Sequence, residues 1–377
     1  MSFLNRSLKL LVTTLVVLGL SGLGQLPPAN ALSLSSTAVL PSALVAYLPP
    51  GNAITNGKAL LRYSLPIDNA EIRKVQKTLE GLSEWLRSKR WGPVKKDINT
   101  VERTLNRKAD KIVAAVAPER KADAEALIDS LKADLEVMRT ALDNRDREAI
   151  WELRDQMLNQ VGEIESYMVT GFPYEVDAAY ADRPLLKGRA AIEVTTTQGP
   201  LTVVVDGFSA PVTAGNFVDL VQRGFYDGLP FIRAEDFYVL QTGDPKGPDE
   251  GFIDPKTKTY RSVPLEIFVQ GDTEPIYGET LEALGRYMDD PILPFSAYGT
   301  VAMARPEEDP NGGSSQFFFF LFEPELTPAG LNLLDGRYSV FGYVTEGKDV
   351  LGQIKQGDRI ESARVVNGLE NFVSPDA

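Results

Sequence analysis

The spacing of the hydrophobic residues changes once along this chain, and that change divides the sequence into two parts. Between residues 68 and 170 the apolar residues recur every three or four positions, which is the period of an amphipathic helix. From residue 189 onward they alternate with polar residues, which is the period of a β-strand. The intervening residues 171–188 contain two prolines and read as a linker. The sequence therefore predicts a multidomain α plus β protein with the helical domain first.

The helical part contains four runs with this spacing, and each run is bounded by residues that start or stop helices. Asp68 and Glu71 have the spacing of a capping box ahead of the first run. Gly92-Pro93, Ala117-Pro118 and Asp143-Asn144 separate the runs, and proline is well tolerated in the first turn of a helix. Four helices with short connections predict an antiparallel four-helix bundle over residues 68–170. The apolar positions are Ile72, Val75, Leu79, Leu82 and Leu86; Val94, Ile98, Val101, Leu105, Ala109, Ile112 and Val116; Ala124, Leu127, Leu131, Leu135, Met138 and Leu142; and Ile150, Leu153, Met157, Val161, Ile164 and Met168.

The predicted bundle offers little chemistry of its own. Its interior positions are aliphatic, and no Glu-x-x-His pattern supplies metal ligands. Trp85, Trp91 and Trp151 are candidates for a binding patch, but a tryptophan at a bundle edge more often serves packing. We interpret the bundle as a docking or structural module. In size and position it is similar to the helical subunits on the lumenal face of photosystem II.

Composition excludes several classes of function. The 377 residues include no cysteine and no histidine, so disulfides, thiolate metal sites and histidine-dependent hydrolase triads are excluded. The formal net charge is −13, which argues against nucleic acid as a partner because such binding depends on neutralising phosphates. We expect no metal and no cofactor.

The first 31 residues have the pattern of an export signal. Arg6 and Lys9 supply positive charge, an apolar run extends to Leu20, and Ala29-Asn30-Ala31 reads as a cleavage site. The alternative is an amino-terminal membrane anchor, although the apolar run is short for a span of about 20 residues. Residues 32–67 read as an extended segment, and no later segment is apolar enough to cross a bilayer. We expect an exported protein that does not span the membrane after cleavage.

The β domain carries a series of short motifs in a fixed order. Residues 210–231 read APVTAGNFVDLVQRGFYDGLPF, and the later motifs are Phe231-Ile232-Arg233, Gln241-Thr242-Gly243-Asp244, Val301-Ala302-Met303-Ala304, Ser315-Gln316-Phe317-Phe318 and Leu334-Asp335-Gly336-Arg337 with Val340-Phe341-Gly342-Tyr343-Val344. This series resembles the cyclophilin-type peptidyl-prolyl cis-trans isomerases. The resemblance implies an eight-stranded antiparallel β-barrel over residues 189–377, capped by two helices.

The chemistry of prolyl isomerisation indicates which of these residues matter. The barrier of roughly 20 kcal/mol comes from amide resonance, so the site must favour the twisted amide. Arg233 is the candidate donor to that amide, and Gln241 is placed to orient it or to bind the substrate backbone. Strand alternation puts Gln316 and Phe318 on one face and Phe317 in the core. By resemblance, the candidate substrate-binding residues are Tyr238, Met303, Gln316, Phe318 and Leu333. Taken singly, these residues also have ordinary structural interpretations: a lone arginine is usually a surface charge, and the run at residues 317–320 can be a buried strand.

The site departs from the family pattern at several positions. Ile232 replaces a histidine, Tyr238 a phenylalanine, Leu333 a tryptophan and Tyr338 a second histidine, while Arg305 stands where many members have asparagine. Leu333 implies weaker cyclosporin binding, and Tyr238 implies reduced turnover. An insertion at about residues 245–297 is either a tolerated surface loop or a lid or partner-binding element at the edge of the groove. Leu281, Leu284 and Tyr287 predict a short amphipathic helix within it.

The order of signal, bundle and divergent cyclophilin domain resembles the thylakoid-lumen multidomain cyclophilins, and a cyanobacterial member fits best. That resemblance implies an exported isomerase in the thylakoid lumen or the periplasm. Its clients would be proline-containing polypeptides, namely lumenal segments of photosystem II proteins, during assembly or maintenance. The alternative is a catalytically weak binding protein with a cyclophilin fold, whose helical bundle regulates the groove.

Overall fold

A computed structural model describes residues 54–322 and 334–374 of the chain. The predicted export signal and most of the predicted extended segment lie outside these residues, as does Leu333. Across the two described ranges, no helix combines the length and the apolar character needed to cross a membrane.

The four predicted helices are present and form an antiparallel bundle. They are α2 (Ala70–Arg87), α3 (Trp91–Ala114), α4 (Lys121–Asp143) and α5 (Arg147–Ser166). Each packs against the next, and α2 also packs against α5, so the helices enclose one core of the predicted aliphatic residues. The start of α2 differs from the prediction by one residue. Asn69, and not Asp68, accepts the capping hydrogen bond from Ile72 N at 3.0 Å.

The bundle also buries polar side chains that the spacing of apolar residues did not reveal. Gln76 and Glu165 are both fully buried. Arg73 lies 3.3 Å from Glu165 and 2.9 Å from the Gln76 amide oxygen, so a cation balances the enclosed carboxylate. Burial raises the pKa of Glu165 to about 7, while Arg73 opposes that rise.

A short helix precedes the bundle, within the segment predicted to be extended. Helix α1 (Gly57–Tyr63) is capped by Asn56, whose side chain accepts a hydrogen bond from Ala59 N at 3.1 Å. Its apolar residues Leu60 and Leu61 are buried against the β domain. A Cβ atom added at Gly57 would lie 2.7 Å from Cβ of Tyr343, so only glycine allows this close approach.

Polar contacts fix α1 to the first hairpin of the β domain. Asp206 is fully buried and accepts hydrogen bonds from Ser64 Oγ at 2.7 Å and from the Arg189 guanidinium at 2.7 Å. Arg189 also donates to the carbonyl oxygen of Leu61 and to Ser64 Oγ. The charge of Asp206 is thereby paired and hydrogen-bonded, as a buried carboxylate requires.

The β domain is built on an eight-stranded antiparallel sheet, as predicted. Its strands are β2 (Arg189–Thr196), β3 (Gly199–Asp206), β4 (Arg233–Glu235), β5 (Val239–Thr242), β8 (Thr300–Met303), β9 (Phe317–Phe320), β10 (Val340–Glu346) and β11 (Ile360–Asn367). They lie in the order β11-β2-β3-β10-β8-β9-β5-β4. A bridge between Pro230 and Arg359 joins the two edges, so the sheet curls into a barrel.

The alternation of side chains gives the barrel wall two apolar faces. The inner face packs around helix α6 (Pro211–Gln222) and includes Phe317 and Phe319. The outer face includes Phe318 and Phe320, and it is covered by Leu60, Leu61 and residues from the insertion.

The linker is not wholly separate from the barrel, because β1 (Leu185–Leu186) pairs with β12 (Phe372–Val373). A further helix, α7 (Lys348–Leu351), follows β10.

The insertion packs onto the barrel through a small hairpin and a buried carboxylate. Strands β6 (Glu266–Ile267) and β7 (Ile276–Tyr277) pair with each other. Glu266 accepts hydrogen bonds from Val212 N at 3.2 Å and Thr213 N at 2.8 Å, so it caps α6. The helix predicted around Leu281 is not formed, because that residue is anchored in a turn against the backbone of Gly336.

Candidate active site

Three of the predicted site residues lie side by side across three adjacent strands. In the antiparallel register Arg233 of β4 is directly opposite Gln241 of β5. Gln241 is in turn opposite Phe318 of β9, and Phe318 is opposite Ala302 of β8. Residues that face each other in this way project from the same face of a sheet. The register therefore forms a row of a cation, an amide and an aromatic ring on the outer wall of the barrel.

The Arg233 guanidinium is reachable from solvent but held in place. Its side chain is 46% exposed. Nε donates to Glu235 Oε1 at 2.6 Å, and the guanidinium carbon lies 5.6 Å from the ring centre of Tyr238. The hydrogen bond to Glu235 raises the pKa of Arg233 above its ordinary value, so this side chain remains a cation.

A chain of amides orients Gln241. Its Nε2 atom donates to Gln316 Oε1 at 2.8 Å. Nε2 of Gln316 donates in turn to Asp244 Oδ1 at 2.9 Å and to the Glu250 carbonyl oxygen at 2.9 Å. Because each nitrogen is committed to an acceptor, both amide groups have a fixed orientation. The predicted polar residues Gln241 and Gln316 are thus brought together, and the insertion residue Glu250 supports them.

Phe318 forms the floor of an aromatic cluster. Its ring stacks on Phe295 with centroids 6.0 Å apart and meets Tyr338 edge-on at 5.5 Å. Arg305 lies over the Tyr338 ring, with its guanidinium carbon 5.1 Å from the ring centre. Phe318 is only 6% exposed as a result. Sequence reasoning missed Phe295, although the apolar run Ile292–Ala297 within an otherwise polar insertion signals a buried segment.

Tyr238 and its neighbour mark the tip of the β4–β5 hairpin. Tyr238 is 39% exposed, and its ring meets Phe320 at 6.0 Å. The preceding residue, Phe237, is 74% exposed and has a φ of 62°. That angle is uncommon for a bulky residue. Phe237 is thus an exposed aromatic residue in the hairpin that carries Arg233, and the motifs did not indicate it.

Two predicted pocket residues are not part of this row. Met303 is 3% exposed and belongs to the inner core, where it lies opposite Phe317. Met303 is a candidate substrate-binding residue by resemblance, but it lies on the opposite face of the barrel wall from Phe318. Leu333 lies outside the described residues; the next residue, Leu334, packs against the outer cluster.

Comparison with known proteins identifies both domains. Residues 56–169 match the family described as peptidyl-prolyl cis-trans isomerase CYP38-like, PsbQ-like domain. Residues 191–370 match the family described as cyclophilin type peptidyl-prolyl cis-trans isomerase.

Relatives share this arrangement over most of their length. A protein of Synechocystis named as a thylakoid lumen peptidyl-prolyl cis-trans isomerase is 55% identical, covering 88% of this chain and 87% of its own. The chloroplastic isomerase CYP38 of Arabidopsis thaliana is 47% identical, covering 92% of this chain and 81% of its own. A solved cyclophilin of Cryptosporidium parvum is 22% identical over 48% of this chain and 98% of its own, with a TM-score of 0.32. The chain belongs to the cyclophilin-type peptidyl-prolyl cis-trans isomerases that carry a PsbQ-like helical domain.

Proposed function

We propose that the row of Arg233, Gln241 and Phe318 is the isomerisation site for prolyl bonds in client polypeptides. The observation that carries this proposal is the strand register, which sets a cation and an aromatic floor on either side of an oriented amide. The twisted prolyl amide has a more basic nitrogen than the planar one, so a guanidinium donor stabilises it selectively. The ring of Phe318 supplies an apolar contact for the pyrrolidine.

An isomerisation assay on a soluble proline peptide tests these roles in the full chain. Arg233→Ala removes the proposed donor, and we expect kcat/KM to fall roughly a hundredfold, as for loss of one transition-state donor. Arg337→Ala is the matched control, because Arg337 is a comparably exposed arginine, paired with Glu282, on a neighbouring turn. An unchanged rate in Arg233→Ala would remove that residue from the mechanism.

We propose further that the clients are proline-containing lumenal segments of photosystem II proteins, and that residues 1–31 direct export. The support is the PsbQ-like character of the first domain and the lumenal naming of the Synechocystis relative. Fluorescence anisotropy with labelled lumenal-segment peptides tests the client, with Pro→Ala peptides as controls. Equal binding of both peptide sets would contradict it. The amino-terminal sequence of the mature protein tests the export signal.

One observation favours the second candidate function, a weakly catalytic binding protein regulated by the helical part. The ring of Phe295 covers Phe318, and the next residue is Ser296. The hydroxyl of Ser296 donates a hydrogen bond to the carbonyl oxygen of Ile54 at 2.7 Å. The chain leading into α1 therefore touches the segment that covers the aromatic floor.

Loosening α1 distinguishes the two functions. Gly57→Ala places a methyl group against Tyr343, whereas Gly81→Ala on α2 enters open space. A rise in kcat/KM in the first variant alone would support regulation by α1. Peptide binding without any rate above background, in the wild type and both variants, would support the binding protein.

A further inference from the structure

The charges of the helical bundle are divided between its two halves. From Ala70 to Ala114, the span of α2 and α3, there are twelve lysines and arginines and six acidic residues. From Lys121 to Ser166, the span of α4 and α5, there are six basic and twelve acidic residues. Residues 171–377 carry sixteen basic and thirty-two acidic residues, so the acidity of the whole chain resides mainly in its second part. The α2–α3 hairpin is the basic exception.

Most acidic side chains on this hairpin are already engaged with other groups. Glu80 pairs with Arg62 at 3.1 Å, and Glu102 pairs with Arg139 of α4. Asp97 accepts a hydrogen bond from the indole of Trp85 at 2.9 Å. The exposed basic residues that we call the basic face are Lys74, Lys77, Arg87, Lys89, Arg90, Lys95, Lys96, Arg103, Arg107 and Lys111. Glu80 and Glu102 are thus paired with arginines outside the hairpin, while only Glu84 and Asp110 are exposed acidic residues on it, so the exposed surface of the hairpin is predominantly positive.

The basic face lacks the features of a protein-binding surface. Among the described residues, none of the large apolar side chains with high exposure lies on α2 or α3. Specific protein interfaces usually centre on buried aromatic or aliphatic residues. Lysine clusters without an apolar anchor are instead typical of electrostatic adsorption to anionic headgroups. A shallow hollow of about 550 Å³ on α3, lined in part by Lys95, Lys96 and Arg103, offers room for such a headgroup.

We infer that the basic face binds the surface of an anionic lipid bilayer, as a peripheral contact without insertion. The two helices present this face over 18 and 24 residues, or roughly 27 and 36 Å, which suits a flat charged surface. The acidic second part of the chain is repelled by the same surface, so the bundle is the contacting domain. This contact would hold the isomerase domain beside a membrane without a spanning helix.

Vesicle sedimentation with the full protein tests this inference. The probes are vesicles of phosphatidylcholine alone and vesicles with about 30% phosphatidylglycerol, at low and high salt. We expect binding only to the anionic vesicles and loss of binding at high salt. The variant K95Q/K96Q/R103Q/R107Q removes four charges, and at roughly fivefold per charge its partition coefficient should fall by a hundredfold or more.

The matched control is K121Q/K132Q/R145Q/R147Q, which removes four charges from the α4–α5 half. It should bind the vesicles as the wild type does, and both variants should keep the isomerisation rate on a soluble peptide and the wild-type circular dichroism spectrum. Equal loss in both variants, equal binding to neutral vesicles, or no binding to anionic vesicles would overturn the inference. If the protein is retained on an acidic protein column but does not bind anionic vesicles, the basic face binds a protein partner, and the inference is overturned as well.

Discussion

Glu266 is enclosed on all sides, and its replacement by glutamine isolates the pH dependence that one carboxyl group imposes on folding. The side chain is 1% exposed and caps α6 through the backbone nitrogens of Val212 and Thr213. Burial raises its pKa from 4.5 to about 7, although the hydrogen bonds from Thr213 and Val212 oppose the rise. The folded chain therefore binds this proton more tightly than the unfolded chain does.

The sign and size of the effect follow from that difference. A raised folded-state pKa stabilises the fold fully below pH 4.5, and the contribution is lost as the pH rises through about 7. The difference between about 7 and 4.5 corresponds to roughly 3 kcal/mol, most of which is lost between pH 5 and pH 8. Glutamine does not titrate, so Glu266→Gln should remove this part of the pH dependence.

Urea unfolding at pH 5 and pH 8 measures the effect. We expect the change in unfolding free energy between the two pH values to be roughly 2–3 kcal/mol smaller in Glu266→Gln than in the wild type. The lost acceptor at α6 lowers stability at both pH values and cancels in that comparison. Glu361→Gln is the control, because Glu361 is exposed on β11. If Glu266→Gln keeps the full wild-type pH dependence, Glu266 is ionised in the folded state and the α6 nitrogens outweigh its burial.

Other substitutions test the docking of α1. Gly57→Ala should lower the unfolding free energy by roughly 1–3 kcal/mol through its contact with Tyr343, and equal stability in urea would contradict the close approach. Gly81→Ala, in the interior of α2 with open space around it, should raise stability by up to about 1 kcal/mol in the same assay. Asp206→Ala leaves the Arg189 cation without its partner and should cost about 3–5 kcal/mol; a loss below 1 kcal/mol would show that water replaces the carboxylate.

The helices and the barrel were predictable because they depend on local patterns. Helical spacing identified α2 to α5, and the ordered motifs singled out Arg233, Gln241 and Phe318 without indicating that they face one another across adjacent strands. The motifs also did not indicate that Met303 faces the inner core, because the face that a strand residue occupies depends on its pairing register. The short helix α1 was not predicted, because seven residues are too few to show a helical period or to form a helix without tertiary contacts.

The insertion was the least predictable region, since its conformation depends on distant partners. Leu281 is anchored by Gly336, and Glu266 is fixed by the start of α6. Neither contact leaves a periodic signal in the sequence. Phe295, which determines how deeply Phe318 is buried, is positioned in the same way by the hydrogen bond from its backbone nitrogen to Asp335 at 2.8 Å.

The attachment of α1 also constrains the order in which the chain can fold. The residues whose hydrogen bonds hold α1 on the barrel are far apart in sequence. Ser64 and Asp206 are separated by 142 residues, and Leu61 and Arg189 by 128. Helix α1 is made early in synthesis, and its residues Arg62 and Tyr63 contact Glu80 of α2. Its apolar residues, however, have nothing to pack against until β10 has been made and paired. Until then Leu60 and Leu61 remain without their apolar partners. The docking of α1 onto the barrel is thus a late folding event, because it requires β2, β3 and β10 to be in place.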